Sequence, residues 1–135
     1  MLYYNLNKGL KYILNYNITN KMTCIKDTYK FVEKHFIMGN KDFMIIHAIV
    51  ERVSDNLRHA HAVVYNKQTG NIHEVSNSFK NKNIIIPFSL WLKIGKVSNI
   101  KQYTFIEFNE LMIKTKIWDF YHLPNKKTIK NVNFS

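Results

Sequence analysis

The stretch HAHAVVYNKQTGNIHEV, residues 59–75, sets His59 and His61 on alternate positions of a strand-like run and, past a turn, puts His73 beside Glu74. An imidazole exchanges protons near neutral pH, and a neighbouring carboxylate can hold it in one tautomer. Such a pair still needs a nucleophile. The chain has one cysteine, Cys24, placed where a helix is expected to begin, and the free N–H groups and positive dipole end there favour a thiolate. These residue types suit acyl transfer: Cys24 attacks a carbonyl, His61 takes and returns the proton, and Glu74 orients His61.

The pairing register decides whether the acid and base can meet. With Gln68-Thr69 as a two-residue turn, Glu74 falls opposite Val63 and diagonal to His61 on one face. A bulge at Gly70 would shift the parity, put His73 on the His61 face and turn Glu74 away. Other assignments stay open. His59 can replace His61 as the base. His59 and His61, two apart on a strand, can also chelate zinc with His73 or His47, since imidazole suits that metal. Zinc is the lesser reading, and no metal or cofactor is expected. His47, inside an apolar run, reads as a satisfied core histidine or a group supporting the site. His35 and His122 read as surface or helix-packing residues.

The elements that would position these groups are legible as patterns. TCIKDTYKFVEKHFIMGN opens with Thr23, a good N-cap type, has apolar residues at three- and four-residue steps and stops at Gly39-Asn40, so a helix is expected over 24–37. DFMIIHAIVERV reads as a strand buried on both faces, with a turn at SDNLR. HAHAVVYN, KQTG and NIHEVSN form a β-hairpin. NIIIPFSLWLKIGKV reads as a short strand and a helix with Pro87 in its first turn and Gly95 at its end. A strand up to Tyr103 follows, and Thr104 with Glu107 makes a capping box for a last helix. Trp91 and Trp118, on the two late helices, read as packing residues. Residues 1–20 suggest a helix or arm and 124–135 a loose basic tail. The sum is one α+β domain over 1–135 with an antiparallel sheet packed with helices.

A Cys opening a helix, a "His-Ala" strand and a strand ending in an acid before "Val-Ser-Asn" resemble the papain-like and transglutaminase-like cysteine hydrolases, in particular small phage and bacterial members. The likeness runs from about Thr23 to Trp118 through CIKDTYKFVEKH, RHAHAVVY, HEVSN, LWLKIGKV and YTFIEF. It implies a papain-like Cys-helix with a His/Glu hairpin, Cys24 as nucleophile, His61 as general base and Glu74 as the third member. Val63 stands where that family usually has an aromatic, and Glu74 where it commonly has Asp or Asn. Peptidases, amidases, deamidases, acyltransferases and inactive binders all occur on such a scaffold.

The hydrophobic fraction of 46% supports a globular fold. A single cysteine excludes an intramolecular disulfide and a cysteine zinc cluster. No apolar run is long enough for a membrane span, and no signal-peptide cleavage pattern is seen, so a cytoplasmic protein is expected, in the host cytoplasm if phage-encoded. Net charge is +11, which attracts polyanions, although lysine-rich, asparagine-rich composition also follows from AT-rich coding. Lys8, Lys11, Lys21 and Tyr12 are candidates for a basic-aromatic surface toward nucleic acid or a host protein. The expected partners are therefore a protein or a small acyl or amide substrate, with a non-enzymatic phage-type binder of a host or defence factor as the alternative.

Overall fold

The computed structural model describes residues 23–51, 57–75, 84–123 and 132–133. In chain order the elements are α1 (Thr23–Ile37), β1 (Phe43–Glu51), β2 (Arg58–Asn66), β3 (Asn71–Glu74), β4 (Ile84–Pro87), α2 (Phe88–Ile94), β5 (Ser98–Tyr103), α3 (Phe105–Thr115) and β6 (Val132–Asn133). The domain is α+β, with strand order β4-β3-β2-β1-β5 and every neighbour in that order antiparallel. The short β6 runs parallel to β2. Two residues expected in a loose tail therefore belong to the sheet, because the edge of β2 beyond β3 offers unpaired backbone groups to a passing strand.

Strand alternation divides the core into two clusters. On one face Ile46, Ala48, Val50, Val63, Ile72 and Ile86 pack with Trp91 of α2. On the other, Ile45, Ile49, Ala60, Ala62 and Val64 lie under Cys24, Ile25 and Val32 of α1 and Phe108 of α3. β1 is buried from Ile45 to Val50, as a continuous apolar run predicts for a strand covered on both faces. The small side chains of Ala60 and Ala62 let α1 lie close to β2.

Local chemistry sets the boundaries. α1 stops as Gly39 takes a φ of +90°, which glycine adopts without the Cβ penalty. Thr23 is inside the first turn of α1 rather than before it. α2 follows Pro87 and ends at Gly95, and α3 begins with a complete capping box between Thr104 and Glu107. Trp118 lies beyond the end of α3 and packs edge-on against Tyr29, ring centroids 5.2 Å apart. The hairpin turn is tied on both flanks: Lys67 N–H donates to Asp42 O at 2.9 Å, and Phe88 N–H donates to Gly70 O at 3.0 Å. The arm with Lys8, Lys11, Tyr12 and Lys21, and most of the SDNLR turn, lie outside the described residues.

Candidate active site

Register comes first. Val64 pairs with His73, Tyr65 with Ile72 and Asn66 with Asn71, so the next step places Glu74 opposite Val63 and diagonal to His61. The parity is that of the first sequence alternative. The turn itself takes residues 67–70, closed by Gly70 N–H to Asn66 O at 2.8 Å with Gly70 at a φ of +76°. No bulge turns Glu74 away. Its Oε2 lies 2.7 Å from His61 Nε2, with both side chains 2% exposed.

The third member is in place. Cys24, wholly buried on the first turn of α1, is a hydrogen-bond partner of the His61 side chain. Since Glu74 takes Nε2, the ring nitrogen left for Cys24 is Nδ1. The meeting point is unusual. His61 pairs with Ala48, whose side chain belongs to the Trp91 cluster, while Cys24 belongs to the opposite one. Along β2, the pairs with β3 end at Val64 and those with β6 cover Arg58 and His59. Among the described residues no strand flanks Ala60–Ala62 on that side, and this notch is where a thiol from one face can reach an imidazole rooted on the other.

Burial alone would lower the His61 pKa. The charge of Glu74 and the hydrogen bonds to Cys24 and Glu74 outweigh it, and the pKa is pushed up to about 10. At neutral pH His61 is therefore an imidazolium held between a sulfur and a carboxylate. The start of α1 adds backbone N–H groups beside the sulfur. The set can hold a proton next to a nucleophile and offer donors to a developing oxyanion.

The remaining histidines separate by parity. His59 shares the His61 face, whereas His73 opposite Val64 and His47 opposite Ala62 point to the other. His73 packs against Phe43 and Phe31 at 5.3 and 6.3 Å between ring centroids. The zinc arrangement of His59 and His61 with His73 or His47 is thus corrected, because a sheet divides the donors. Among the described residues no three His, Cys, Asp or Glu side chains cluster as metal ligands. His47 is also not the satisfied core histidine expected. It is wholly buried, neither ring nitrogen has a hydrogen-bond partner among the described residues, and burial, then the charges of His122 and His61, lower its pKa to about 3. A histidine in an otherwise apolar strand was the available signal. The sequence could not say that no partner faces it.

No family model, curated protein or solved structure matches the chain. The chemistry therefore rests on the site itself. Among the described residues no helix is long and apolar enough to cross a membrane.

Proposed function

We propose that the chain is a cysteine hydrolase or acyltransferase of papain-like type, acting on an amide or ester through a thioester intermediate. The observation that carries this reading is one imidazole shared between a helix-start thiol and a buried carboxylate, His61 Nε2 to Glu74 Oε2 being 2.7 Å. In the reaction the Cys24 sulfur bonds to the substrate carbonyl carbon and the thiol proton resides on His61. His61 then protonates the departing amine or alcohol, leaving the acyl group on sulfur. Water or an acceptor nucleophile, giving its proton to His61, releases the acyl group and restores Cys24. Glu74 keeps the ring oriented and balances its charge. Because Cys24 is wholly buried, an acyl group gains access only through a local opening of the packing around the thiol, which slows the reaction without changing its steps.

The test is the rate of Cys24 alkylation by iodoacetamide across pH, in the wild type and in His61→Ala. The expected result is a rate plateau extending well below pH 8 that the substitution abolishes. An ordinary thiol profile, the same in both proteins, overturns the reading. The complete burial of Cys24 favours one other reading, a non-enzymatic binder whose buried triad is structural and whose charge of +11 does the recognition. Salt-sensitive partner binding unchanged by Cys24→Ser distinguishes it.

A further inference from the structure

Outside the candidate active site, one cluster of polar atoms lacks any account. His47 Nδ1, His47 Nε2 and His122 Nδ1 are buried and have no hydrogen-bond partner among the described residues. Leaving even one such atom unpaired costs about 1–3 kcal/mol, so native interiors rarely do it without an occupant or a purpose. The three atoms belong to neighbouring rings whose centroids are 6.5 Å apart. On its other sides, among the described residues, His47 meets the aromatic rings of Phe120, Phe108 and Tyr103 at 5.0, 5.2 and 5.5 Å between centroids.

The bond His122 does make specifies its free nitrogen. Its Nε2 contacts the backbone carbonyl of Asn99. A carbonyl oxygen only accepts, so Nε2 carries the hydrogen and Nδ1 of the neutral ring is a bare lone pair. A second ring nitrogen donating to a backbone carbonyl is the arrangement that fixes metal-binding histidines in orientation and tautomer. His47 is held neutral by burial, which ligation also requires.

We propose that His47 and His122 form a two-imidazole site for a soft monovalent cation, copper(I). The number of donors selects the ion. Protein zinc sites use at least three side-chain ligands, and no third His, Cys, Asp or Glu joins a cluster here among the described residues. Copper(I), with a filled d shell, is content with two nitrogens in line, and imidazole is one of its ligands. Metal–nitrogen bonds of about 2 Å on each side span rings at the observed separation when the two donors face across the ion. The aromatic walls suit a low charge, and Lys101, whose charge lowers the His122 pKa after burial and against the Asn99 hydrogen bond, penalises a divalent ion more than a monovalent one. His122 is only half-buried and supplies the way in. The site stands apart from the thiol chemistry and does not depend on it.

The experiment is anaerobic titration of the full chain with copper(I) in competition with a chromophoric chelator, combined with copper X-ray absorption and ¹⁵N shifts of the imidazoles. Wild type and Cys24→Ser should bind one copper alike, with two nitrogen scatterers and shifts confined to His47 and His122. His122→Phe should weaken binding by about 10- to 100-fold. Sulfur scattering lost in Cys24→Ser would place copper on the thiol and overturn the proposal. Equal affinity in wild type and His122→Phe, or no binding, would overturn it as well, assigning water to the imidazoles. His47→Leu provides an independent second variant, its fold checked by circular dichroism.

Discussion

His61 and His47 sit on adjacent strands, one step out of line with each other, and burial acts on both rings in the same sense. Their partners make the difference. In the unfolded chain each titrates near about 6.5. Folded His61 keeps its proton until about pH 10, so its stabilising contribution is fully present below about 6.5 and is lost as pH rises toward 10. Folded His47 stays neutral down to about pH 3. Between 6.5 and 3 the unfolded chain binds the extra proton, and stability falls with pH. Thermal melts across pH should thus peak near neutrality. His47→Leu should flatten the acid arm and Glu74→Gln the alkaline arm, and arms that keep their slopes in these variants would refute both assignments. In the metal-free protein His47→Leu should also raise stability at pH 7 by about 1–3 kcal/mol, the cost of unpaired buried polar atoms. The candidate acid and base were legible in residue type and spacing. The aromatic surroundings of His47 were not, because they depend on Phe120 and Phe108, which are distant in sequence.

Among the elements, those whose ends carry their own chemistry were the readable ones. Thr104 and Glu107 announced α3, and both capping-box hydrogen bonds form, at 2.8 and 3.1 Å. Thr104→Ala should cost about 1 kcal/mol in urea unfolding with an unchanged slope. Gly95, after α2, is used for space rather than for φ. A Cβ there would meet Val97 Cγ2 at 3.0 Å and the Trp91 carbonyl at 3.2 Å. Gly95→Ala should therefore destabilise, although its backbone is ordinary right-handed helix, whereas Gly70→Ala meets nothing within 4 Å and pays only for its φ of +76°. The hairpin could be read up to its parity, since two registers fitted the turn residues and tertiary ties chose between them. β6 could not be read: Val132–Asn133 acquire strand geometry only from the edge of β2.

For the whole molecule, the two-sided core means that neither face can be lost alone. Trp91→Ala empties the centre of one cluster and Phe108→Ala that of the other, and each should cost about 3–5 kcal/mol, a large part of a domain's usual stability. Because the residues share no cluster, the double mutant should lose the sum, a larger or smaller loss revealing coupling through the sheet. The α+β architecture followed from the order of patterns in the chain. The crossing of a thiol from one face to an imidazole on the other did not, because it arises from where β3 ends and β6 begins. The ties at Lys67 and Phe88 have a mechanical consequence. The exposed tip Gln68-Thr69 looks like a place for inserts, yet the turn around it is bolted to the chain entering β1 and to the start of α2. Lengthening the tip would work as a lever on His61 and Glu74, so the hairpin is a stiff strut whose outer end holds the geometry of its inner one.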